Sequence, residues 1–515
     1  PEVAEVGPSV ASDLYTVART LAVMTFDFQG YTNVFVDSLP DPDNIAVFRT
    51  YESFYRFLVR ATDPDPARRF ASAQEMAEQL TGVLREVVAL QSGRPRPALS
   101  TLFGTEVRVT DTALFAELTE DVSLLGARRG RKRPALPALP ALPALPAGVP
   151  GAAGTPGAAG AVPGAAGTSG AAGALPGASH APGAAAGPGT ALPAGSGGAA
   201  PVPLGALLAP LDTPATALAL PVPRVDTGDP NAGFLAGLAA AAPGELLAAL
   251  QAAPAPSAEL RLRTLRAELE LGDLPAAART LAGLEERDPD DWRVVWYRGV
   301  ASLVTGDHEH AALAFDAVYD AFPGEPSPKL ALGICAEVLG QLDNAAEYYR
   351  LVWATDPSFV SAAFGLARVQ LAAGDRIGAV RTLESVPEAS IHYTAARVAT
   401  VRARLRRRPA TEPLAADLTA AAAQVSALQG FGLDAVRREQ LSTEVLGTAL
   451  DWVLSGSPGA EPGGGALLLG SELDERGLRF GLERSYRVLA RLAQRGEERI
   501  ELVERANRFR PRTWV

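Results

Sequence analysis

Residues 306–323 read GDHEHAALAFDAVYDAFP, and residues 340–357 read GQLDNAAEYYRLVWATDP. The two stretches lie 34 positions apart and share one plan: a glycine, a short polar residue, a buried-type alanine, an aromatic and a closing proline. Working outward, the same spacing connects Gly272, Gly306, Gly340 and Gly374, followed by Asp273, Asp307, Gln341 and Asp375. Ala277, Ala311, Ala345 and Ala379 stand five positions after their glycines, and Pro289, Pro323 and Pro357 seventeen after the first three. A fixed period of about 34 residues is the signature of stacked helix-turn-helix units, whose usual work is holding a partner.

The residue choices follow from that geometry. Val294 to Val304 and His308 to Tyr319 carry apolar residues at helical spacing, which predicts two antiparallel helices per repeat. Gly306 offers the positive φ that closes the turn, and Asp307 suits the next N-cap. Gly299, Gly333 and the repeat alanines permit close helix approach, with Phe315 and Tyr349 filling the remaining space. Pro323 and Pro357 stop the second helix. From Ala258 to Glu388 the chain resembles tetratricopeptide repeats in period and consensus positions. The fourth copy departs from the pattern, with Leu383 for the aromatic and Ile391 for the proline, as suits a terminal repeat.

The 515 residues allow roughly three domains. Alanine inflates the hydrophobic fraction of 47%, and no run of about 20 apolar residues reads as a membrane span. A net charge of −11 argues against nucleic acid as partner. The lone Cys335 excludes an internal disulfide or a cysteine zinc site, and reads as a small core residue in a reducing cytoplasm. Basic charge is almost all arginine, the only lysines being Lys132 and Lys329.

Five segments are expected. Residues 1–92 read as a compact helical block: Ser12 caps a helix to Thr25 with Leu14, Val17, Leu21 and Met24 as its stripe. Tyr51 to Ala61 forms another helix. A third follows the Ser72/Glu75 capping box, with Met76, Leu80, Leu84, Val87 and Val88 inward. Residues 93–126 form an irregular connection. Residues 127–220 form a low-complexity Pro/Ala/Gly linker that begins with the basic cluster Arg128 to Arg133. Residues 221–410 hold the repeats, and 411–515 extend the array by helices at Thr411–Leu428, Asp434–Leu454 and Leu473–Ala506. The arginine run Arg402 to Arg408 reads as a solvated helix end, with a docking patch for an acidic partner as the alternative.

The first block resembles the rear part of a protein-kinase catalytic domain. Pro1-Glu2 matches the end of the Ala-Pro-Glu motif, and Ser12 to Val17 matches the start of the kinase's central helix. Asp63-Pro64-Asp65-Pro66-Ala67-Arg68-Arg69-Phe70 matches the late motif whose arginine pairs with that glutamate. The resemblance implies that Asp13 receives catalytic-loop N–H groups and that Arg69 pairs with Glu2. Together with Trp296-Tyr297-Arg298, Ser361 to Arg368 and Gly447 to Trp452, the order of segments is similar to the actinobacterial protein kinase G family. The fold expected is mainly α: a helical remnant of a kinase C-lobe, a disordered Ala/Gly/Pro linker and a tetratricopeptide-repeat α-solenoid. The resemblance implies a C-terminal portion of a cytoplasmic serine/threonine kinase whose intact parent uses ATP and magnesium. It further implies phosphorylation of a forkhead-associated regulator of 2-oxoglutarate and glutamate metabolism, with repeats serving dimerisation or docking of protein partners in their groove.

Catalytic groups are not found in this chain. Phosphoryl transfer needs a phosphate-holding lysine, a catalytic aspartate and an Asp/Asn pair for magnesium, and neither lysine is placed to serve. Asp27-Phe28-Gln29-Gly30 carries one residue too many for a magnesium motif and reads as a loop; His308 and His310 read as surface residues. No metal or cofactor site is expected. A non-catalytic repeat scaffold and a degenerate kinase kept as a regulatory subunit are the alternatives. A groove clamp for carboxylates offers only Asn344, Arg350 and Arg368 as candidates.

Overall fold

The computed structural model describes residues 7–106, 108–118, 120–127, 207–238, 240–459 and 467–511, all within one compact unit. The linker expected over most of 127–220 and Glu2 therefore lie outside the described residues, as do Arg128 and the rest of the basic cluster.

The N-terminal lobe contains α1 (Val10–Thr25), α2 (Ala46–Thr50), α3 (Glu52–Ala61) and α4 (Ala73–Ser92). Ser9, not Ser12, is the N-cap of α1: its hydroxyl accepts from the Ser12 N–H at 3.2 Å, while the Ser12 hydroxyl accepts from the Ser9 N–H at 2.9 Å. The cap thus lies one turn before the expected Ser12, and the two serines form a capping box. Ser72 caps α4 through the Glu75 N–H, and Gly93 closes it with φ +63°. Phe28, Phe48, Phe57 and Phe70 build the lobe core with Leu14, Ala18 and Ala22. Two expected stripes are rotated. On α1, Val17 and Met24 are exposed and the small Ala18 and Ala22 face inward. On α4, Leu84 is exposed while Gln79, Gly82 and Glu86 are buried.

The repeats pair α8 (Ala258–Leu271) with α9 (Leu274–Glu285), α10 (Trp292–Thr305) with α11 (His308–Ala321), α12 (Pro326–Val338) with α13 (Leu342–Thr355), and α14 (Val360–Ala372) with α15 (Arg376–Glu384). Gly272, Gly306, Gly340 and Gly374 all hold left-handed φ, from +75° to +87°. The carboxylates of Asp273, Asp307 and Asp375 accept the next helix's N–H groups; Gln341 makes no such bond. Ala277, Ala311, Ala345 and Ala379 are buried at the helix crossings. A Cβ on Gly299 would stand 2.7 Å from the Phe315 ring, so this contact requires glycine. Trp296, Tyr297, Phe315, Tyr319 and Tyr349 fill the interior.

Three short helices, α5 (Thr213–Ala219), α6 (Ala232–Gly237) and α7 (Pro243–Leu250), precede the repeats. The segment just before 221, expected as linker, is helical over α5, and its Ala217 and Leu220 join the repeat core against α10. Residues 102–104 pair antiparallel with 222–224, and 114–116 with 207–209. The Gly104 N–H donates to the Val222 carbonyl at 2.8 Å, and the Ala116 N–H donates to the Leu207 carbonyl at 3.0 Å.

Past the repeats come α16 (Tyr393–Leu405), α17 (Ala415–Ala427), α18 (Ala435–Leu454), the two-residue strands β1 (Leu467–Leu468) and β2 (Ser471–Glu472), α19 (Glu475–Leu492) and α20 (Gly496–Phe509). The last expected helix is thus two, meeting where Tyr486 stacks on Phe509 at 5.8 Å. The whole is mainly helical. Among the described residues no helix is long and apolar enough to cross a membrane.

Candidate functional site

The lobe and the repeats meet through polar groups, most of them buried. On α3, Ser53 shares a 2.8 Å hydrogen bond with the Tyr319 hydroxyl. Arg56 lies over the Tyr319 ring and pairs with Asp316 at 2.9 Å and Asp320 at 2.5 Å. Burial opposes the Arg56 charge, but Glu52, Asp316 and Asp320 outweigh it and hold the guanidinium firmly protonated. Arg60 donates to the Ala321 carbonyl and pairs with Glu75 at 2.7 Å.

On α4, the face carrying Gln79, Gly82 and Glu86 is the face that docks. The Gln79 side-chain oxygen accepts the Gly324 N–H at 2.9 Å. A Cβ on Gly82 would sit 2.6 Å from the Gly324 Cα, so the two backbones touch directly. Glu86 receives the ammonium of Lys329, which also donates to the Pro323 carbonyl at 2.7 Å. Burial pulls the Lys329 pKa below its ordinary value and Glu86 opposes that shift. Beyond them Arg85 approaches Asp356 at 3.8 Å, and the Arg96 N–H donates to the Thr355 carbonyl at 2.8 Å.

The first helices of the central repeats are covered on both faces. Residues Pro326 to Ala336 of α12 are all buried, as are Ala362 to Val369 of α14. Helices buried all round must pack on two sides: α12 meets Glu86 of the lobe helix α4, and α14 meets the connecting segment. Phe103 stands between Trp292 and Trp296 at 5.1 and 4.8 Å. Leu114 and Phe115 pack on Val360, Ala363, Phe364 and Ala367. Glu106 accepts the Ser361 N–H at 3.2 Å at the start of α14; burial raises its pKa to about 7, and its Oε1 has no partner among the described residues.

Of the three groove candidates, Arg368 lies apart from the other two. Arg368 is buried and engaged by Glu337, which also accepts from the Tyr349 hydroxyl at 2.8 Å. Asn344 and Arg350 lie on α13 and line a cleft of about 410 Å³ facing the lobe residues Arg49 to Ser53 and Leu90. The arginine run is also largely committed. Arg402 and Arg406 share Glu444, Arg404 and Arg408 share Asp417, and Arg407 meets Glu120 at 3.0 Å. The solvated helix end is thus a clamp joining α16 to its neighbours.

Arg69 is buried; it donates to the carbonyls of Asp63, Ala11 and Pro64 and lies over the Tyr15 ring. Asp13 stands exposed in the first turn of α1. Burial pushes the Cys335 thiol up to about 12, and His310 bonds the Asp307 carboxylate at 2.9 Å on the surface. Among the described residues no cluster of His, Cys, Asp and Glu is arranged to hold a metal ion.

Sequence reasoning missed Ser53, Gly82, Glu86 and Tyr319. The available signal was Lys329, one of two lysines among 47 basic residues. An ammonium is compact with three donors, so it suits a narrow site between a carboxylate and a carbonyl where a planar guanidinium does not.

The family model for the protein kinase G tetratricopeptide repeat matches residues 206–513. The serine/threonine-protein kinase PknG of Mycobacterium leprae (strain TN) is 38% identical, and that of Mycolicibacterium smegmatis (strain ATCC 700084 / mc(2)155) 35% identical. Each alignment covers 99% of this chain, which spans 57% of the relative's length.

Proposed function

Because this chain belongs to the protein kinase G family, we propose that it is the part of a serine/threonine protein kinase that fixes a docked substrate protein relative to the catalytic lobe. The junction of Glu86 with Lys329, flanked by Ser53–Tyr319 and Gln79–Gly324, supports this reading. A partner held by the repeats is then held at a fixed place beside the lobe, and docking raises its local concentration there. The outward face of α1, with Val17 and Met24 exposed and Asp13 beside them, is where the remainder of a catalytic domain seats in this proposal.

ATP and magnesium do not fit the described residues. Lys329 is buried and committed to Glu86, and among the described residues no acidic cluster is arranged for a metal. In this proposal that remainder binds them, and no step is assigned to this chain. The substrate is a forkhead-associated-domain regulator of 2-oxoglutarate and glutamate metabolism in the cytoplasm, and the chain works as a homodimer or as a docking arm. With the inner faces of α12 and α14 covered, docking falls to the cleft between α13 and the lobe.

Surface plasmon resonance of the whole chain against a forkhead-associated-domain protein tests this. Arg350→Glu is expected to weaken binding at least about tenfold, the size of a lost charge-assisted contact. Binding unchanged by Arg350→Glu and by Asn344→Ala contradicts docking at that cleft.

A further inference from the structure

A second cleft, of about 850 Å³, opens between α5, α6, α7, α8 and the residues Thr105, Arg108 and Thr110, away from the lobe junction. Its walls are aliphatic, with Leu218, Leu220, Val222, Val225, Leu235 and Leu246, and no aromatic ring lines it among the described residues. Three guanidinium groups line it as well, from Arg108, Arg263 and Arg266, against one carboxylate, Glu270.

These cations are incompletely answered. Arg266 is buried; its Nε donates to Glu270 at 2.7 Å and its Nη2 to the Leu218 carbonyl. Arg108 donates to that same carbonyl at 3.3 Å, so two positive charges converge on one neutral oxygen. The Arg266 Nη1 is buried with no hydrogen-bond partner among the described residues. Arg263, half-buried one turn before Arg266, makes no hydrogen bond or ion pair within 4 Å among the described residues. Glu259, one turn further back, is already engaged by Arg293 and by the Asp226 N–H. A buried donor without an acceptor costs free energy, and converging like charges add to it.

We propose that this cleft binds an aliphatic monocarboxylate, its carboxylate held by Arg263, Arg266 and Arg108 and its acyl chain laid along the leucine and valine walls. A carboxylate supplies the acceptor that the Arg266 Nη1 lacks and offsets the charge convergence at Leu218. The aliphatic lining takes a hydrocarbon chain and offers no ring for a nucleobase to stack on. The cleft volume lies in the range of about 300–1,000 Å³ usual for small-ligand sites. This inference is independent of the docking proposed above.

Isothermal titration calorimetry of the whole chain with decanoate, below its micelle concentration, tests it. One saturable site is expected, with Arg263→Gln weakening it at least about tenfold and methyl decanoate, which lacks the charge, binding at least as poorly. Because Arg263 makes no hydrogen bond or ion pair within 4 Å among the described residues and feels Glu259 only at longer range, its variant is expected to melt close to the parent chain. Leu238 also lines the cleft, and Leu238→Asn, which tests that tail wall, is expected to weaken decanoate severalfold. Arg437→Gln, on the exposed surface of α18, is expected to bind normally. The inference is overturned by absence of a saturable site, by Arg263→Gln binding like the parent, or by equal loss in Arg437→Gln.

Discussion

The Lys329 ammonium and the Glu86 carboxylate meet in the interior between the lobe and the repeats, with the Pro323 carbonyl 2.7 Å from the same nitrogen. The two residues are 243 positions apart in the chain. Each would be an uncompensated buried charge without the other, so the pair ties the position of α4 to that of α12.

Removing either partner alone, by Lys329→Met or Glu86→Gln, is expected to cost about 3–5 kcal/mol. The double variant Lys329→Met/Glu86→Leu is expected to recover most of that loss, since it leaves no charge unpaired. Lys329→Arg is expected to remain destabilised, because the larger planar group meets the same narrow space. Urea denaturation of the parent and these four variants reads the loss and its recovery.

Gly82→Ala drives a methyl group into the Gly324 backbone, which no side-chain rotation relieves. A loss of about 1–3 kcal/mol is expected. Gly283→Ala in α9 is the control: nothing lies within 4 Å of its Cβ, so helix propensity alone acts and a gain of up to about 1 kcal/mol is expected. Chemical denaturation of the two variants separates the cases.

Phe103→Ala empties the space between Trp292 and Trp296 and is expected to cost about 3–5 kcal/mol. Hydrogen exchange is expected to rise over 102–116 and 207–224 together, because the two segments are paired. Faster exchange in only one of them contradicts the pairing.

Glu106 titrates near 7 in the folded chain and near its ordinary 4.5 when unfolded. Between those values the unfolded state has released a proton that the folded state keeps, so this group's stability contribution is full below about pH 4.5 and is lost as pH rises through about 7. Glu106→Gln is therefore expected to match the parent at low pH and to exceed it by about 1–3 kcal/mol at pH 8. Thermal melts of both proteins from pH 5 to 8 read the difference.

The repeats were legible because each unit repeats its own packing rule, so Gly306, Ala311 and Phe315 predict Gly340, Ala345 and Tyr349 without reference to anything distant. The helix Asp434 to Leu454 was legible for a similar reason: its cap and apolar spacing are local, and α18 spans Ala435–Leu454. The inward face of α4 was not. Gln79, Gly82 and Glu86 read as a solvent side because their partners, the Gly324 N–H and the Lys329 ammonium, come from 245 and 243 residues later. The same distance effect hid the role of the arginine run, whose acceptors Glu384, Asp417 and Glu444 sit on three other helices. The covering of α10 and α14 by the connecting segment was equally invisible, since 93–126 carries no periodic pattern.

Differential scanning calorimetry of the whole chain, parent and Glu86→Gln, tests most directly that lobe and repeats form one cooperative body. A single transition is expected in the parent, displaced as a whole to lower temperature in the variant. Two separable transitions in the parent, with Glu86→Gln moving neither, contradict a lobe welded to the repeats.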